Sequence, residues 1–311
     1  MPIPVVKALI EGKPPGRQLF MPLIFALAAR LEDVPLPDFV INPTKITKGL
    51  VALYQRLRPD GITCYFDLFL IAEALGCRLH WNTYPPTLQT PTSEAVLAML
   101  QPPGDIKRRG RLPVALEVVH RVQGTLHNGP ALVVGLPGPL RVAQQLFGLD
   151  VLRGLAEGED DALDSFEALV EITLPIAQAF CLAGANLLYF DESDVPVELL
   201  PDWEAATVAL WKTVRFHGAL PVLSLPQPLQ FEDQANAPLL CLKAASVEQV
   251  ALPKGPFALA LPVLAEAVPD VSRWTRAKEC VLVTTDGEIS YQLEIQKLER
   301  RVAALRALCQ S

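Results

Sequence analysis

The sequence predicts an α/β fold, a single TIM-type (β/α)8 barrel over residues 1–311, on three observations. Eight apolar, strand-like runs recur along the chain, stretches of helical periodicity fill most of the gaps between them, and no Gly-rich phosphate turn follows an early strand. Strands alternating with helices are the signature of parallel strands joined by crossovers, and an open dinucleotide-binding sheet would want that missing turn. Eight is also the strand count that closes a barrel.

In order, the expected strands are Leu19–Phe25, Gly61–Phe66, Ala131–Gly135, Asn186–Phe190, Pro221–Leu225, Pro238–Leu242, Pro256–Leu261 and Val281–Thr284. Short apolar runs bounded by Gly, Pro or Asp are the pattern of strands buried on both faces. Helical periodicity places Ile46–Leu57 before the second strand, Val114–His127 before the third, Asp161–Ala183 before the fourth and Ala205–Phe216 before the fifth. Leu293–Leu308 closes the chain with Ile295, Leu298, Val302 and Leu305 on one face. That stripe covers about two heptads, so it reads as a helix laid on the barrel rather than a coiled-coil seam. The longest uncharged run, Ile172 to Phe190, contains Pro175, Gln178, Gly184 and Asn186. Gly184 divides it into a helix and a strand, so a buried pair is expected instead of a membrane span.

Half of the residues are hydrophobic and 20% are charged, which excludes disorder and permits a large core. Acids outnumber bases 34 to 27, for a net charge of −7. The basic cluster Lys107-Arg108-Arg109-Gly110-Arg111 is short. Neither nucleic acid nor a membrane is therefore an expected partner. The six cysteines, at 64, 77, 181, 241, 280 and 309, show no CxxC or Cys/His ligand spacing, and no secretory leader is apparent. They are read as reduced thiols, and the location as cytoplasmic.

Barrel chemistry sits at the carboxyl ends of strands. Asp67 ends the second run, flanked by Phe66, Leu68 and Phe69. It reads either as a desolvated anchoring or acid–base carboxylate, or as the N-cap of a helix Leu68–Leu75. Asp191-Glu192-Ser193-Asp194 ends the fourth run, where it would act on a substrate or cation, or open a helix before Val197–Leu200. The turn Gly135-Leu136-Pro137-Gly138-Pro139 frees amides that could bind a carboxylate or phosphate. His120 and His127 share a helix face about 10 Å apart, too far for one ion, and His80 and His217 have no ligand partners in register. No metal site is expected.

Further segments follow one another in a distinctive order. Within Phe39–Pro91 these are Ile41-Asn42-Pro43, Pro59-Asp60-Gly61-Ile62, Phe66-Asp67, Ile71-Ala72-Glu73-Ala74-Leu75-Gly76-Cys77 and Tyr84-Pro85-Pro86. Shorter echoes are Val134–Pro139, Ala183-Gly184-Ala185-Asn186, Phe190-Asp191, His217-Gly218-Ala219-Leu220-Pro221-Val222 and Thr285-Asp286-Gly287-Glu288-Ile289. The chain resembles the uroporphyrinogen decarboxylase superfamily, which includes corrinoid-linked methyltransferases. The resemblance implies one TIM-type barrel. It sets Asp67 where the decarboxylases hold the Asp that gathers pyrrole N–H groups, a task suited to a carboxylate that stabilises a protonated pyrrole. Arg30 matches one family arginine, Gln145 or a neighbour the tyrosine after the Gly/Pro turn, Ser193 a family serine, and Asp286 or its neighbour the late histidine.

The decarboxylase signature Arg-Gln-Ala-Gly-Arg is replaced by Met21-Pro22-Leu23-Ile24-Phe25-Ala26-Leu27-Ala28-Ala29-Arg30. The methyltransferase zinc motif, His-x-Cys, would fall on Leu225 and Gln227, and no Cys lies within Thr284–Gly287. The expected catalytic set is Asp67, Ser193 and Asp286, with Arg30, Asp191, Gln145 and Gly138 binding substrate, and with no metal or cofactor. The expected function is a metal-free decarboxylase acting on a tetrapyrrole or related pyrrole-type acid. Alternatives are zinc-free one-carbon transfer with a corrinoid protein, and a non-catalytic tetrapyrrole or corrinoid binder. Pairing with a second copy as a homodimer stays open.

Overall fold

The computed structural model describes residues 1–89, 91, 100, 104–127, 129–195, 201–226, 231, 236–244, 255–262 and 272–310. Its strands are β1 (Leu19–Phe20), β2 (Gly61–Phe66), β3 (Leu79–His80), β4 (Thr87–Leu88), β5 (Ala131–Pro137), β6 (Leu187–Asp191), β7 (Leu220–Ser224), β8 (Leu239–Lys243), β9 (Phe257–Leu261) and β10 (Cys280–Thr285). β3 and β4 make a small antiparallel hairpin. The other eight pair in the order β1-β10-β9-β8-β7-β6-β5-β2. Every printed pairing among them is parallel. The result is a nearly closed (β/α)8 barrel.

All eight expected runs form strands, with ends shifted by a residue or two, except the first. Leu19–Phe25 keeps strand pairing only at Leu19–Phe20. Pro22 has no N–H to give a ladder. Past it, side-chain hydroxyls replace the neighbouring backbone: the Leu23 amide donates to Thr285 Oγ1 at 3.0 Å and the Ile24 amide to Thr63 Oγ1 at 3.3 Å. The seam between β1 and β2 is bridged in the same manner. The Asp60 amide donates to the Phe20 carbonyl at 2.9 Å, and the Asp60 carboxylate accepts from the Phe20 amide at 2.9 Å.

Helices Pro43–Leu57, Leu112–Leu126, Asp160–Ala183 and Pro201–Phe216 precede β2, β5, β6 and β7. Asp160–Ala183 is long and apolar enough to cross a membrane by length and composition. Here it is a layer of the barrel, burying Phe166, Leu169, Val170, Ile176 and Phe180. It stops at Gly184, whose φ of +112° is a left-handed turn disfavoured for residues with a Cβ. The last helix, Ile295–Gln310, buries Leu298, Val302 and Leu305, and Arg306 donates to the Leu57 carbonyl. The 3,4,3 stripe is a covering face, as expected.

Asp60→Ala strips the seam of its acceptor and leaves the Phe20 N–H without a partner in a buried setting. It is expected to cost about 1–3 kcal/mol in urea unfolding. Arg17→Ala, which removes the half-exposed ion-pair partner of the same carboxylate, should cost less than about 1 kcal/mol.

Candidate active site

Asp67 leaves β2 at the carboxyl end of the barrel, 8% exposed. Its Oδ1 accepts from the Phe69 amide at 2.8 Å, so it does close the turn into the helix Leu70–Leu75. Its Oδ2 accepts from Arg111, the last residue of the short basic cluster. Arg111 is 5% exposed, donates through Nε to Glu73 at 2.8 Å, and carries the Trp81 ring 4.8 Å from its guanidinium carbon. Burial disfavours the guanidinium charge, but the adjoining carboxylates outweigh it and raise the Arg111 pKa. Asp67 is therefore no lone carboxylate: one buried cation holds it together with Glu73. Arg111 stands at the entry to the helix Leu112–Leu126, while Lys107 and Arg108 pair with Asp105 on the surface.

A second set of charges follows β5, β6, β8 and β10. Gly138 caps the helix Pro139–Phe147, and a Cβ there would lie 2.2 Å from the Glu192 side chain. The amides freed by this turn do bind a carboxylate, but it is the protein's own: the Leu140 amide donates to Glu192 Oε1 at 2.8 Å. Glu192 has no exposed surface, and its Oε2 has no hydrogen-bond partner among the described residues. Burial pushes its carboxyl up to about 8, against the pull of the Leu140 amide and Arg141.

Asp191 accepts from the Ser193 amide at 2.9 Å and from Arg141 at 3.0 Å. Arg141 also reaches Asp194 at 3.4 Å, and Lys243 bridges Asp194 at 4.0 Å to Asp286 at 3.3 Å. Gly138, Asp191, Ser193 and Asp286 thus share one arc of the barrel mouth. The segment Val197–Leu200, before which a helix start was expected, lies outside the described residues.

A third group closes the side near β1. Glu288, three residues beyond β10, accepts from the Ala26 amide at 2.5 Å through Oε1 and from the Tyr84 hydroxyl through Oε2. Burial pushes Glu288 up to about 7, with the Ala26 amide and Tyr84 hydroxyl opposing and Asp67 adding to the rise. Tyr84 lies in the β3–β4 turn, its ring edge-on to Tyr291 with centroids 5.6 Å apart.

Two expected binding residues, Arg30 and Gln145, spend side-chain donors on backbone carbonyls. Arg30 is exposed and donates to the Gln292 and Leu293 carbonyls, both at 3.0 Å, which ties down the segment after β10. Gln145 donates to the Leu68 carbonyl at 2.8 Å, fastening its helix to the backbone beside Asp67. His120 and His127 line a cleft of about 580 Å³ at the opposite end, beside the starts of β5 and β6. Leu225 is buried and apolar, and Gln227 lies outside the described residues. No group of three or more His, Cys, Asp or Glu side chains that could hold a metal occurs among the described residues. A side chain without a donor atom at the first ligand position does not fit zinc.

The model of a known family, uroporphyrinogen decarboxylase (URO-D), matches residues 5–215. Two curated relatives are methylcobamide:CoM methyltransferases MtaA, from Methanosarcina barkeri and from its strain Fusaro / DSM 804. They are 22% identical over 187 and 188 residues. Each match covers 58% of this chain and 55% of the relative, so the chain spans about half the length of the curated relatives it matches. A solved methyltransferase from Methanosarcina mazei superposes with a TM-score of 0.77 at 16% identity, covering 99% of this chain and 98% of its own, a likeness of fold.

Arg111→Met would leave the buried Asp67 and the half-buried Glu73 without their cation and is expected to cost about 3–5 kcal/mol in chemical denaturation. Glu192→Gln should change the pH profile of stability. The folded carboxyl titrates near 8 against 4.5 for the free group, so its contribution is full below about 4.5 and is lost as pH rises toward 8. The variant should gain on the wild type over that window by a few kcal/mol, read from unfolding midpoints at pH 5 and pH 8.

Proposed function

The chain belongs to the uroporphyrinogen decarboxylase family, and from that premise we propose that it is a one-carbon transfer enzyme working with a corrinoid protein. The observation that carries this reading is its likeness to two methylcobamide methyltransferases over more than half of its length. Decarboxylation, the reading preferred from the sequence, is less well supported. The arginines described at this mouth already hold Asp67, Glu73, Asp191 and Asp194. A substrate rich in carboxylates needs arginines of its own.

The direction proposed is demethylation of a small methyl ether or amine. When bound, the corrinoid supplies a strongly nucleophilic acceptor for the methyl group. Zinc has no fitting donor set at Leu225, so a thiol would have to lose its proton by another route. A quaternary ammonium departs as a neutral amine, but removing a methyl group from an ether oxygen leaves an anion that must gain a proton. Carboxyl groups held near neutral pKa are suited to that work. Asp67, fixed by Arg111 and Phe69, would position the substrate, while Asp191, Ser193 and Asp286 would line the other arc. A mouth spanning one barrel over residues 1–311, a cytoplasmic setting and a corrinoid protein as partner complete the proposal.

The test uses free cobalamin reduced to its cob(I) state, with anisole-type ethers and tetramethylammonium as methyl donors. Protein-dependent formation of methylcobalamin is the expected result. Decarboxylation of uroporphyrinogen without any methyl transfer would replace this reading with the other. Tight corrinoid binding with no turnover of either kind would leave a binding protein.

A further inference from the structure

Resting on the methyl-transfer reading, we propose that Tyr84 and Glu288 form a proton relay that protonates the departing group of the substrate. The Glu288 carboxyl is oriented by the Ala26 amide on Oε1, which leaves Oε2 to Tyr84. Tyr84 is partly exposed and is brought to the mouth by the β3–β4 hairpin. Its ring is braced by Tyr291, and the same hairpin is anchored by Trp81 on Arg111. Before transfer, protonated Glu288 donates to the Tyr84 oxygen and the Tyr84 hydroxyl points its proton to the substrate. As the bond from the methyl group to the leaving atom breaks, that atom takes the Tyr84 proton, and the Tyr84 oxygen takes the one from Glu288. Glu288 ends as a carboxylate accepting from the Tyr84 hydroxyl, so one proton has moved and none is lost.

The surroundings favour this cycle. Neither Arg nor Lys is ion-paired with Glu288 among the described residues, and the charge of Asp67 disfavours ionising both Glu288 and Tyr84. Tyr65, whose hydroxyl donates to the Val40 carbonyl at 2.8 Å, also faces Tyr84. Burial keeps the carboxyl half-protonated near pH 7. A general acid of this kind is worth roughly 10²–10⁴-fold in rate.

Two measurements test the relay. In protein labelled with [ζ-13C]tyrosine, the Tyr84 signal, assigned by its loss in Tyr84→Phe, should titrate near pH 7 in the wild type and stop titrating in Glu288→Gln. A Tyr84 signal that is flat from pH 5 to pH 9 overturns the relay whatever the activity. In methyl transfer to cob(I)alamin, Tyr84→Phe should lower kcat about 100-fold for an aliphatic alkoxide leaving group and far less for a nitrophenoxide. Glu288→Asp should recover part of the rate that Glu288→Gln loses, and the wild-type rate should fall as pH rises through 7. An equal loss for both leaving groups would make Tyr84 a structural residue and refute the relay. If the wild type transfers no methyl group, the methyl-transfer reading fails, and the tyrosine titration alone decides the relay.

Discussion

Among the described residues, carboxyl groups at the strand ends of this barrel outnumber the cations that face them. Seven of them, Asp67, Glu73, Asp191, Glu192, Asp194, Asp286 and Glu288, stand against Arg111, Arg141 and Lys243 among the described residues. Glu192 and Glu288, which pair with no cation among the described residues, each accept from one backbone amide, and burial raises their carboxyl groups to about 8 and about 7. Cation pairing and burial thus divide the described acids of the mouth into those that are ion-paired and two that are raised toward neutral pH.

The same division explains the local architecture. Gly138 has no side chain because Glu192 lies where one would be, and the helix that begins there offers its Leu140 amide to that buried carboxyl. The hairpin β3–β4 is held to the barrel at two points that are both tied to charge, through Trp81 on the Arg111 cation and Tyr84 on Glu288. The turn Gly135–Pro139, which reads from residue type as an anion site, is one, but it is filled from within the chain.

Much of the fold was legible because parallel barrel strands are buried on both faces and so appear as unbroken apolar runs. The exception, β1, turns on Pro22, where hydroxyls of Thr63 and Thr285 stand in for a ladder that no run of apolar residues encodes. The site was less legible. Asp67 could be found because a single acid ending an apolar strand stands out. Its partner could not, since Arg111 sits in a basic run whose other members are spent on the surface. Glu192 was hidden among three neighbouring acids, and Glu288 behind Asp286. Sequence displays which acids are adjacent, but only the path of the chain off each strand end decides which one turns inward. Arg30 shows the converse: an exposed position matched to a family role here fastens two backbone carbonyls.

These features bear on how a shared barrel changes its chemistry. A donor-free Leu225 removes the means of activating a thiol by zinc, and carboxylate-bound arginines leave the mouth poorly suited to a polyanion. Among the described residues, what remains is a site with two buried carboxyl groups raised toward neutral pH and little unpaired positive charge. On the methyl-transfer proposal, such a site suits a neutral ether that departs as an anion needing a proton better than a substrate that arrives as an anion and must be stripped of one. The fold alone does not make that choice, since it is common to enzymes of either kind.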